Sequence, residues 1–123
     1  MKFYHWMIVA AFFGVAFGFG FLLIPAQMME IYGVSSNKVV LHMNRIFGAA
    51  ILGMGCMAWM ARELPESKAL KAIIVCLFIY FTFGSISTLI FGLQGVANFI
   101  IWLTLGFHVP IAIALGYFLF VKR

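Results

Sequence analysis

The amino-acid sequence predicts an all-α membrane protein, an antiparallel four-transmembrane-helix bundle, and three observations carry that prediction. Of 123 residues, 66% are hydrophobic and only 9% charged, far too little polar surface to coat a soluble domain of this size. Four apolar runs come near or exceed the ~20 residues a helix needs to cross a hydrocarbon core of about 30 Å, and the alternating polarity of barrel strands is missing. The segments joining these runs are short, which makes successive spans antiparallel neighbours.

The first span covers about residues 4–24 and stops at Pro25. Its apolar run is long for a signal peptide and "LLIPAQMM" is a poor cleavage site, so it reads as a retained helix. The linker "PAQMMEIYGVSSNK" holds the turn formers Gly33, Ser35, Ser36 and Asn37, and its "MMEIY" portion suits a short amphipathic piece lying along the interface. The second span, about 39–61, ends at "RELPES", where Pro65 and two carboxylates break the apolar pattern and Ser67 is placed to cap the next helix. The third, about 69–91, is closed by "GLQG"; the fourth, about 96–121, ends at Lys122 and Arg123.

An even number of spans puts both termini and the Pro65 loop on one side. That side carries Lys2, Arg62, Lys68, Lys71, Lys122 and Arg123, and the other only Lys38. The positive-inside rule then places both termini in the cytoplasm. The net charge of +5 has no basic cluster or motif behind it, which argues against nucleic acid as a partner. The lipid bilayer is the expected partner, with a homo-oligomer or larger membrane complex attractive for so small a chain.

Membrane helices associate through close packing, and small residues mark where they meet. Ala10, Gly14 and Gly18 recur every four residues on the first span, as do Ala49 and Gly53 on the second and Ala112 and Gly116 on the fourth. Cys56 and Cys76 lack C-x-x-C spacing and read as small core residues rather than a zinc or redox pair. Met28, Met29, Met43, Met54, Met57 and Met60 raise copper, since thioethers with imidazole suit Cu(I). They are split between the two ends of the second span and read better as gap fillers, so neither a metal nor a cofactor is expected.

The polar residues inside the spans are the candidates for function, because ionisable groups there are costly and face a partner or a wet cavity. Arg45 lies roughly 9 Å past the start of the second span, near enough to the outer surface to snorkel. At 100° per residue it shares a face with His42, Ala49, Gly53 and Cys56, a strip of small side chains expected to face protein. Asn44 falls off that strip. On the third span Ser85 and Thr88 lie toward the outer end, and on the fourth Asn98, Trp102, Thr104 and His108 start from the same side, so these groups are expected to converge. Pro110 deprives the Gly106 carbonyl of its helical partner, predicting a kink beside His108. Glu30, the only acid on the outer side, is the natural partner for Arg45 through a folded-back linker. The alternative is that Arg45 receives an anionic headgroup, a carboxylate or a quinone-like carbonyl.

The segment "RIFGAAILGMGCMAWMAR", residues 45–62, resembles a pattern of small bacterial four-helix inner-membrane proteins: Arg, Gly-Ala, Leu-Gly-x-Gly and Trp-x-Ala-Arg in that order. The resemblance implies the four-helix plan and the bacterial inner membrane, with Arg45, Gly48, Gly53, Gly55 and Trp59 on the matching positions. It carries no activity.

An enzyme would need a nucleophile with a base, a carboxylate pair or a ligand cluster. Of the three acids, Glu63 and Glu66 lie on the cytoplasmic loop, away from His42 and His108. The expected role is therefore a non-catalytic accessory, assembly or lipid-interacting subunit with an outer-leaflet polar pocket around Arg45. The competing role is a small transporter taking an anionic or protonatable solute through Arg45 and His108.

Overall fold

The computed structural model describes residues 2–122. Five helices follow one another: α1 (Phe3–Leu23), α2 (Pro25–Ile31), α3 (Lys38–Ala61), α4 (Lys68–Leu93) and α5 (Ile100–Phe120). All but α2 are long and apolar enough to cross a membrane. The protein is thus an all-helical bundle, with no strand among the described residues.

Local chemistry sets the helix ends. Asn37 accepts the Val39 and Val40 N–H groups through its side chain, and Ser67 accepts that of Leu70, each satisfying donors that a helix start leaves free. Pro25 opens α2, where its missing N–H costs nothing. At the far end of α3 the Arg62 guanidinium lies 3.7 Å over the Trp59 ring and donates to the Trp59 carbonyl, so the Trp-x-Ala-Arg sequence closes its own helix. Gly95, at φ +70°, turns the chain after α4. The fourth span begins at Ile100 rather than near residue 96, because Asn98 holds the preceding residues in a loop.

Two helix pairs make up the bundle. In the first, α1 and α3 run antiparallel with their backbones in contact: a Cβ on Gly14 would lie 2.7 Å from the Gly55 Cα, one on Gly18 2.7 Å from the Leu52 Cα, and one on Gly48 2.5 Å from the Leu22 nitrogen. In the second, α4 and α5 are antiparallel: Gly92 lies against Trp102, Gly84 against His108 and Gly116 against Phe78. The pairs meet along looser seams, Phe13 against Phe107 (ring centroids 4.3 Å apart) and Phe3 against Phe118 (5.3 Å). The core of one half is centred on the fully buried Met7, Leu77, Ile111 and Leu115. A smaller cluster, Phe21, Met28, Tyr32, Ile51 and Ile101, fills the other half beneath α2.

Two expectations change here and a third holds. The packed seam of α3 is Gly48, Ile51, Gly55 and Ala58, while Ala49 and Gly53 are exposed. Cys56 and Cys76 are exposed rather than core residues. The small residues expected on α1 (Ala10, Gly14, Gly18) and α5 (Ala112, Gly116) do pack inside.

Candidate functional site

The residues expected to form one pocket separate into an internal polar line and an external row. The internal line starts in the linker. Tyr32 is only 7% exposed and stacks near Phe21, with its hydroxyl 2.7 Å from the Thr104 Oγ1. Thr104 in turn donates to the Ile100 carbonyl at 3.3 Å, so its oxygen is left to accept the Tyr32 proton. Burial pushes the Tyr32 phenol above its ordinary value of 10.0, and the Thr104 hydrogen bond offsets only part of that.

One turn further along α5, the His108 Nδ1 lies 2.9 Å from the Thr104 carbonyl. A carbonyl can only accept, so this nitrogen carries the proton, and Nε2 is left as an acceptor on the side of Gly84. A Cβ at Gly84 would approach the His108 ring to 3.3 Å, so that glycine makes room for the imidazole. The ring packs between Tyr80 and Phe81, with centroids 6.0 and 5.3 Å away. Thr104 and His108 border a cavity of about 40 Å³ whose remaining wall is aromatic and aliphatic, including Phe13, Phe17, Tyr80, Phe107 and Ile111. That is room for a water or two, which need two to four polar partners. His108 therefore bonds to the Thr104 carbonyl rather than to the Gly106 carbonyl freed by Pro110, and α5 is unbroken through the proline.

Asn98 has a different task. Its backbone N–H donates to the Tyr32 carbonyl at 2.8 Å, its Nδ2 to the Ile31 carbonyl at 2.8 Å, and its Oδ1 accepts from the Ile100 N–H at 3.0 Å. Gly33, at φ +69°, passes so close that a Cβ there would come within 3.1 Å of the Asn98 Nδ2. The folded-back linker is real, but its clamp is Tyr32, Asn98 and Thr104 rather than Arg45 and Glu30. Among the described residues the one ion pair is Arg62 with Glu63, at 3.6 Å on an exposed loop.

The external row is His42, Arg45, Ala49, Gly53 and Cys56, all exposed and aligned along α3. The expected face exists but turns away from the bundle. The side that packs on α1 is a residue removed: Asn44 stands above Gly48 and Ile51, its Nδ2 shielded from solvent and unpartnered among the described residues. The reason is steric. Two faces of α3 carry small residues, but only Gly48 and Gly55 let the α1 backbone approach as closely as it does. Turning Arg45 outward also spares the aromatic interior an uncompensated charge.

The other sequence candidates join neither group. Glu30 is exposed on α2, Ser85 donates to the Phe81 carbonyl of its own helix at 2.6 Å, and Thr88 is half-buried. Trp102 is 41% exposed and packs over Gly92. Tyr32 and Tyr80, which sequence reasoning passed over, belong to the internal site; for Tyr32 the available signal was a tyrosine beside Gly33 in the linker, since a buried phenol needs a partner. No three of His, Cys, Asp and Glu stand together among the described residues. Compared with protein-family models, curated proteins and solved structures, the chain gives no match.

Proposed function

We propose that this chain is a non-catalytic accessory or assembly subunit of the bacterial cytoplasmic membrane, both termini cytoplasmic, which meets a partner membrane helix through the outward row on α3. The observation that carries this reading is Gly53. It lies below Arg45 and Ala49 in a transmembrane helix, and beyond its chain neighbours and its own helix backbone no described residue comes within 4 Å of where its Cβ would be. Lipid tails gain little from a strip of small residues, whereas a second helix gains close backbone packing. Arg45, about two turns nearer the outer surface, adds a charge that a carboxylate or headgroup on the partner would satisfy. The excess of cations at the end bearing the termini supports the orientation.

Native mass spectrometry after gentle extraction tests the reading. An assembly heavier than the 13.8 kDa chain is expected, lost in Gly53→Leu and retained in Phe83→Leu, which alters an exposed residue of α4. A lone monomer from the wild type, or an assembly indifferent to Gly53→Leu, overturns it.

The cavity beside Thr104 and His108 favours a second reading, a small transporter. In a single copy Arg45 stands outside that cavity, so the solute would be handled by Thr104 and His108 alone. Proton-coupled uptake into liposomes that disappears in His108→Ala would select this reading over the first.

A further inference from the structure

The end of the bundle opposite Arg45 holds a second and larger hollow. A groove of about 550 Å³ opens where the first turn of α1, the Arg62–Ser67 loop, the start of α4 and the end of α5 come together. Its floor is apolar, formed by Phe3, Leu70, Ile74 and Phe118. Its rim is cationic: Lys68, Lys71 and Lys122 stand against one carboxylate, Glu66. None of the three lysines has a carboxylate within 4 Å among the described residues, and the Lys122 ammonium hangs 5.8 Å over the Phe118 ring. The groove therefore offers an apolar trough with an excess of positive charge at its mouth.

We propose that this groove is a binding site for an anionic phospholipid of the cytoplasmic leaflet, the phosphate held by Lys68, Lys71 and Lys122 and an acyl chain lying over Phe118 and Ile74. Volume and charge agree on that occupant. The size falls within the range of small-molecule sites, and basic pockets between helices on the cytoplasmic side suit anionic headgroups. A zwitterionic lipid would fill the trough equally well but leave the lysines without a counter-charge. The inference takes its cytoplasmic placement from the orientation proposed above but does not rest on the α3 row, whose Arg45 lies toward the other end of the bundle.

The test is native mass spectrometry of the full chain titrated with phosphatidylglycerol or phosphatidylcholine. The wild type is expected to retain phosphatidylglycerol in preference, and added salt to weaken it. Each Lys→Gln change is expected to weaken retention about fivefold, and Lys68→Gln, Lys71→Gln and Lys122→Gln together about a hundredfold. Arg45→Gln leaves it unchanged, and Glu66→Gln tightens it about fivefold, a gain that tests the site without depending on the triple variant's folding. Equal binding of the two lipids, or retention unaffected by both the triple change and Glu66→Gln, overturns the proposal. So does retention lost in Arg45→Gln alone.

Discussion

Gly55→Ala and Gly53→Ala, two residues apart on one helix, add the same methyl group to opposite environments. At Gly55 the new carbon would lie 2.7 Å from the Val15 nitrogen, 2.8 Å from the Gly14 carbonyl carbon and 3.0 Å from the Ala11 oxygen. All three are backbone atoms and cannot swing aside, so α1 and α3 must part by roughly 0.5–1 Å to restore ordinary contact near 3.5 Å. Overpacking of this kind costs about 1–3 kcal/mol. At Gly53 the same carbon meets no described residue beyond its chain neighbours and its own helix backbone. Both variants gain up to about 1 kcal/mol of helix propensity, and that gain cancels when they are compared with each other. Gly55→Ala is therefore expected to be less stable than Gly53→Ala by about 1–3 kcal/mol. Unfolding followed by circular dichroism in dilute detergent, where the outward row is uncovered, measures the difference. Equal stabilities, or a more stable Gly55→Ala, would refute the backbone-contact account of this helix pair.

Thr104→Val is expected to destabilise by about 1–3 kcal/mol, because it strands the buried Tyr32 hydroxyl; Tyr32→Phe should cost less, since Thr104 keeps its bond to the Ile100 carbonyl. Thermal unfolding of the two variants checks that order. Asn98→Asp keeps the cap on Ile100 but loses the donation to Ile31, so hydrogen exchange should accelerate across residues 24–37 while α5 stays protected. Because the folded phenol of Tyr32 titrates above its unfolded value of 10.0, the folded state holds that proton more tightly. Stability from this group is complete below pH 10.0 and falls as pH rises through the folded value; an alkaline melting series should lose this component in Tyr32→Phe.

The helices were legible because hydrophobic length and turn chemistry are local. Ser67 capped α4 as its position foretold, Pro25 ended the first span, and α1 used its Ala10, Gly14 and Gly18 side. Rotation about the helix axis was another matter on α3, where residues 48 and 55 compete with 49 and 53, and periodicity gives both faces equal standing. What decides between them is how near another backbone can come, a property of two helices rather than one. The clamp was missed for a related reason. Glu30 and Arg45 invited pairing by charge, while the bonds that hold the linker pass through the carbonyls of Ile31 and Tyr32, which every residue carries and no sequence advertises.

The hydrogen bonds from Asn98 and Thr104 to the Ile31–Tyr32 segment tie the two helix pairs together at the end that bears α2. At the other end the pairs are joined by the Arg62–Ser67 stretch and by apolar packing, Phe3 on Phe118 and the core of Met7, Leu77, Ile111 and Leu115. The molecule is thus fastened by directional bonds at one end and by side-chain packing at the other. Directional bonds fix relative position where apolar packing tolerates small slides, so any adjustment of one pair against the other turns about the Tyr32, Asn98 and Thr104 clamp.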